Sequence, residues 1–170
     1  MISITDNFLD KNEFNKIHAQ STHIKLLSND VTYESIKNDN MNHVWFTAET
    51  DDNIKNIFLK KIPKLLGVEI LNITLCKWQM VIKKEQVEVH IDESDTCDLQ
   101  TIFYIKGHSF LNSGTGFYTH KENSNKLSTI VGFEPNRLVS WDSNTWHGPL
   151  SHADDFTSRI SIITQYKIRK

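Results

Sequence analysis

The spacing of apolar residues changes at Gly67. Before it they recur at helical intervals, and after it they alternate. Asp10 and Glu13 have capping-box spacing, with Leu9 and Phe14 placed for a hydrophobic staple, so a short helix is predicted over about Lys11–Gln20. Ile54, Ile57, Phe58, Ile62, Leu65 and Leu66 predict a second over about Asp51–Leu66. Gly67 is placed to stop it, and Pro63 to kink it or begin a new turn. Strand-like runs follow at Val68–Cys76, Trp78–Ile82, Val87–Ile91, Gln100–Lys106, Thr115–Thr119, Leu127–Phe133, Arg137–Trp141 and Arg159–Ile168. Turn-rich pieces around Gly114, Asn123 and Pro135 separate them, and many short strands at such spacing read as a sandwich or barrel.

The last run carries the most information. Arg159, Ser161, Ile163 and Gln165 point one way, and Ile160, Ile162, Thr164, Tyr166 and Ile168 the other. The apolar side needs a cover, and the N-terminal helices are the available one. The mixed side then looks into the sandwich, where Arg159 needs an anionic partner because an unpaired buried charge is costly.

Composition narrows the classes. With 170 residues, 38% of them apolar, the chain is long enough for one domain with a real core. A formal net charge of -2 offers no electrostatic footprint for nucleic acid or an anionic membrane. No apolar run reaches the length of a membrane span, and the N-terminus lacks a signal-peptide pattern. Two cysteines, Cys76 and Cys97, make no disulfide framework, so a cytoplasmic setting is expected. Arginine is confined to Arg137, Arg159 and Arg169.

The candidate chemistry is His90, Asp92 and His147. Two imidazoles and a carboxylate are the set that holds a non-haem ferrous ion on one face. His90 and Asp92, two apart near a strand end, share a face. His147 follows the strand Arg137–Trp141, and a double sheet can return it to His90. With eight histidines in the chain the His-x-Asp pair alone is weak. His18, His23, His43, His108, His120 and His152 read as surface or structural, and Asp95 and Asp98 as solvated loop residues. Asp142 is either a turn cap or a support for the loop to His147.

The ordered set resembles the iron(II)/2-oxoglutarate-dependent dioxygenase superfamily, particularly its compact prolyl-4-hydroxylase-like members. It comprises His90-Ile-Asp92, Thr101-Ile-Phe-Tyr-Ile105, Gly114-Thr-Gly-Phe-Tyr118, Pro135-Asn-Arg-Leu-Val-Ser-Trp141, His147-Gly-Pro149 and Arg159-Ile-Ser161, and covers about residues 75–168. The resemblance implies a mostly β fold with N-terminal helices: a double-stranded β-helix, or jelly roll, with helices packed on the outer sheet face. Helical support would occupy about 1–67 and the jelly-roll core about 68–170 of a single domain. His90, Asp92 and His147 would bind Fe(II), and 2-oxoglutarate would chelate the metal and reach Arg159 with its distal carboxylate. Tyr104 matches a tyrosine that donates to that carboxylate, and Ser161 the serine of an Arg-x-Ser variant. For both, a plain packing role stays open. Trp78, Trp141 and Trp146 are candidates for the pocket wall.

The implied activity is that of an oxidoreductase. It couples O₂-dependent decarboxylation of 2-oxoglutarate to hydroxylation of a protein side chain, with proline the analogical choice, or of a small metabolite. Val81 and Val87 stand where prolyl-hydroxylase-like members commonly carry tyrosines, which weakens the transfer of prolyl specificity. Two other readings stay open: a non-catalytic jelly-roll binding module, and a cupin-like metal isomerase, which the lack of a His-x-His pair disfavours.

Overall fold

The structure is a computed structural model describing residues 1–24, 45–81, 89–92, 95–109, 111–121, 124–150 and 159–169. Helix α1 (Lys11–Ser21) starts where expected: Asp10 accepts from the Asn12 and Glu13 amides, and Glu13 reaches back to the Asp10 amide. Helix α2 (Asp52–Leu66) is capped by Asp51 and ends at Gly67, whose left-handed φ of 67° suits glycine. The Pro63 carbonyl takes the Gly67 N–H at 2.9 Å, so the helix runs through Pro63 instead of restarting there.

The strands are β1 (Ile2–Thr5), β2 (Trp45–Glu49), β3 (Ile70–Val81), β4 (Leu99–Lys106), β5 (Thr115–Lys121), β6 (Ser124–Val131), β7 (Leu138–Asp142), β8 (His147–Pro149) and β9 (Arg159–Ile168). They form an antiparallel six-stranded sheet, β1-β7-β4-β9-β3-β2, and a three-stranded one, β6-β5-β8. This is the double-sheet arrangement of a jelly roll. Two expected runs, Val68–Cys76 and Trp78–Ile82, are one strand. Lys77 stays in the ladder between Glu49 and Ile163, with its ammonium 3.3 Å from the Glu49 carboxylate. Strands β1, β2 and β8 had no sequence expectation. Of the run Val87–Ile91, the first two residues lie outside the described set, and His90 makes an isolated bridge. No helix among the described residues is long and apolar enough to cross a membrane.

Alternation on the central strands divides two hydrophobic clusters. Phe103 and Ile105 of β4, with Ile160, Ile162 and Tyr166 of β9, join Ile17 of α1 and Ile54, Phe58 and Ile62 of α2. Phe103 is the hub, meeting Phe8, Phe14 and Phe58 edge-on at 5.5–6.2 Å, contacts worth about 0.5–1.5 kcal/mol each beyond burial. Ile102 and Tyr104, on the opposite face of β4, join Phe117, Val131, Phe133, Val139 and Trp141. That second cluster lies between the two sheets, and the site opens beside it.

Gly114 sets the spacing of one wall. A Cβ there would stand 1.8 Å from the Val131 carbonyl oxygen, with no flexible side chain to yield. Gly114→Ala is expected to cost about 1–3 kcal/mol or more, as overpacking does, read as a lower urea midpoint at unchanged m-value.

Candidate metal centre

Sheet register brings the three candidate ligands together. The chain leaves the large sheet after β7, reverses in a turn closed by Thr145 N–H to the Asp142 carbonyl at 2.9 Å, and enters the small sheet as β8. There His147 and His90 exchange both backbone hydrogen bonds, at 2.9 and 3.0 Å. Residues so paired project side chains to one face, and the two rings lie 4.5 Å apart between centroids. Asp92 follows two residues on, with its amide held by the Ser143 carbonyl at 3.2 Å. One ligand atom from each of His90, Asp92 and His147 falls within 4.8 Å of the others.

The protonation pattern is that of a cation site. The Thr145 carbonyl lies 2.9 Å from His147 Nδ1 and can only accept, so Nδ1 carries the hydrogen and Nε2 keeps its lone pair. Burial, with a smaller effect from His90, lowers the His147 pKa to about 4, so the ring is neutral at neutral pH. Its Nε2 stands 3.7 Å from Asp92 Oδ2, and with a neutral ring this contact is not an ion pair. Two acceptors face each other, and Asp92 Oδ2 is buried with no hydrogen-bond partner. A divalent cation between them resolves an otherwise costly arrangement, so the donor set fits a metal.

Burial raises the Asp92 pKa to about 6, opposed by His90 and by the Gln165 hydrogen bond. Protons and metal compete for that carboxylate. Asp92 is ionised and available above about pH 6, and below it the proton wins. His147 adds no proton competition until about pH 4. Co(II) affinity measured by titration is therefore expected to fall by roughly a further tenfold per pH unit below that point on account of Asp92. Equal affinity at pH 7 and pH 5 would exclude it as a ligand.

Arg159 lies in the same pocket, which is also lined by His90, His147, Gln100 and Trp141. The guanidinium is wholly buried, which lowers its pKa, yet an arginine stays charged at neutral pH. Its Nη1 donates to the Ser113 and Gly114 carbonyls, its Nε has no partner, and it has no acidic partner among the described residues. Tyr104 lies beneath it, with its ring centroid 5.6 Å from the guanidinium carbon. The Tyr104 hydroxyl, kept protonated by burial, is paired with Thr115 Oγ1 at 2.7 Å. Ser161 is buried with its Oγ unpaired.

Other expectations fare unevenly. Trp141 lines the pocket, whereas Trp78 packs in the helix-side cluster and Trp146 is not in the wall. Asp98 is no solvated loop residue: it is half-buried, accepts from the Ile168 amide at 3.3 Å and sits 3.7 Å from the Lys167 ammonium. Asp142 is exposed and meets the N-terminal ammonium. His23 and His108 are exposed, and His18 sits against the Phe14 ring. His43, His152, Val87 and the side chains of His120 and Val81 lie outside the described residues. Gln100, Gln165 and Thr115 had no expected role, although each is a polar residue at an inward-facing strand position, the one available signal.

No protein-family model matches the sequence, and no curated protein matches it. Solved structures do match in fold. HygX from Streptomyces hygroscopicus, with nickel and 2-oxoglutarate bound, aligns at a TM-score of 0.69 and 9% identity over 97% of this chain and 82% of that one. A prolyl-4-hydroxylase from Pseudomonas putida aligns at 0.60 and 13% identity, over 99% and 93%. A prolyl hydroxylase from Trichoplax adhaerens, in complex with a peptide fragment of the hypoxia-inducible factor oxygen degradation domain, aligns at 0.63 and 16%, over 97% and 82%. The fold is that of these proteins.

Proposed function

We propose that this protein is an Fe(II)- and 2-oxoglutarate-dependent oxygenase that hydroxylates a protein side chain, proline by analogy, or a small metabolite. The observation that carries the reading is the close approach of two acceptors, His147 Nε2 and Asp92 Oδ2, the latter buried with no hydrogen-bond partner, beside a wholly buried arginine that lines one pocket with His90 and His147 and has no acidic partner among the described residues. The first pair calls for a cation and the second feature for an anion, which a metal-chelating dicarboxylate satisfies together.

His90, Asp92 and His147 would hold the iron, and Arg159 would take the distal carboxylate of 2-oxoglutarate. Bound iron with 2-oxoglutarate and O₂ supplies the oxidising chemistry. The chain's own share is placement and exclusion of water. Ile102, Trp141 and Ile163 form apolar wall, and Tyr104 and Thr115 close the floor beneath Arg159. In this reading α1 and α2 serve as the outer cover of the large sheet. Neither a sugar-binding jelly roll nor a cupin-like isomerase requires a buried, carboxylate-free arginine beside the metal ligands.

The test is an anaerobic titration with Fe(II) and then 2-oxoglutarate. The weak visible charge-transfer band of the chelate is expected, and its absence in folded protein overturns the reading. Succinate formation above the uncoupled rate, screened over peptides and metabolites, then identifies the substrate.

A further inference from the structure

Two glutamines join the candidate ligands in a single hydrogen-bonded chain. Gln100 of β4 and Gln165 of β9 are direct cross-strand partners. Gln165 Nε2 donates to Asp92 Oδ1 at 3.1 Å and to Gln100 Oε1 at 3.0 Å. Gln100 Nε2 then lies 3.5 Å from His147 Nε2. An ionised carboxylate only accepts, so the nitrogen end of Gln165 must face Asp92. That turns the oxygen of Gln100 toward Gln165 and its nitrogen toward His147.

The far end demands the same orientation independently. His147 Nδ1 gives its hydrogen to the Thr145 carbonyl, so Nε2 is an acceptor and needs a donor. Flipping either amide would set like groups face to face. The chain also holds Asp92 with Oδ1 engaged and Oδ2 bare toward His147.

A metal changes one link. Coordination takes the His147 Nε2 lone pair, and the Gln100 N–H loses its acceptor. Gln100 is wholly buried, so its amide cannot turn to water, and Gln165 holds its other end. A buried donor left unsatisfied is costly. The acceptor that remains available is an oxygen atom bound to the metal beside His147.

Building on the oxygenase reading, we propose that Gln165 is a positioning residue that aims Asp92 Oδ2 at the metal, and that Gln100 is a binding residue that donates a hydrogen bond to an anionic oxygen ligand bound there. The ligand class is a carboxylate. Gln165 acts only through Asp92, whereas Gln100 touches the bound oxygen ligand itself.

The experiment compares wild type, Gln100→Met, Gln100→Glu and Gln165→Met. Fe(II) affinity is measured anaerobically by chelator competition, and 2-oxoglutarate affinity by the visible band. Gln100→Met is expected to keep Fe(II) affinity within about threefold, weaken 2-oxoglutarate about tenfold and move the band. Gln100→Glu, which sets a carboxylate against the anion, is expected to weaken 2-oxoglutarate more. Gln165→Met is expected to weaken Fe(II) itself by about 10- to 100-fold, the range for partners of metal ligands. No band in folded wild type overturns the oxygenase reading. A wild-type band with an unchanged band and affinity in Gln100→Met overturns this proposal alone, as does a loss of Fe(II) in Gln100→Met equal to that in Gln165→Met. If near-UV circular dichroism shows Gln100→Met misfolded, Gln100→Glu decides: wild-type 2-oxoglutarate affinity in that variant overturns the proposal.

Discussion

Replacing His147 with alanine is expected to abolish stoichiometric iron binding and, with it, turnover. The residue supplies a ring whose tautomer is set by its neighbours, with Nδ1–H on the Thr145 carbonyl and the Nε2 lone pair facing Asp92 Oδ2. Removing it leaves His90 and Asp92, two ligands from one short segment. Changes to partners of metal ligands cost about 10- to 100-fold in affinity, so loss of a ligand itself should exceed about 100-fold. The fold should survive, because the bridge between residues 90 and 147 uses only backbone N–H and carbonyl groups. The measurement is iron retained after anaerobic gel filtration, with circular dichroism as control. Wild-type iron content and turnover in the variant would place the distal ligand elsewhere.

Arg159→Ala is expected to weaken 2-oxoglutarate binding by about 1.5–3 kcal/mol, roughly 10- to 150-fold, the range for hydrogen bonds to charged groups. The structure adds a second consequence. Arg159 Nη1 also donates to the Ser113 and Gly114 carbonyls, so truncation removes both bonds to that loop and lowers thermal stability. Arg159→Lys separates the two effects. Lysine keeps the charge but not the planar fork, so it should restore part of the affinity and less of the loop anchoring. Cosubstrate affinity is read from the visible band and stability from thermal melts. Unchanged 2-oxoglutarate affinity in Arg159→Ala would remove this residue as the anchor.

Much of the framework was legible because it is local. Capping chemistry at Asp10 and Glu13 marks the start of α1, and Gly67 marks the end of α2. Alternation along Arg159–Ile168 separates the face whose Ile160, Ile162 and Tyr166 share a cluster with Ile17, Ile54 and Phe58 from the face that carries Arg159 and Gln165. The edge strands escaped notice. Ile2–Thr5 and Trp45–Glu49 are short, and their ladder partners lie far along the chain, as in Ile2 with Trp141 and Glu49 with Lys77. Lys77 hid the continuity of β3, because a charge inside an apolar run looks like a break until its partner across the strand is known. Asp98 reads as a solvated loop residue for the same reason, since its partners come from the far end of β9.

The sequence by itself determined the donor types, the shared face of His90 and Asp92, and the inward side of Arg159, since each follows from residue identity and a period of two. Only the tertiary structure decided that His147 stands opposite His90, that Thr115 pairs with Tyr104, and that Gln100 and Gln165 close a chain between Asp92 and His147. The physical reason is register. Alternation specifies the face a side chain takes, whereas the residue it meets depends on how strands distant in sequence are aligned, and a shift of one residue would turn each of these groups away from its partner.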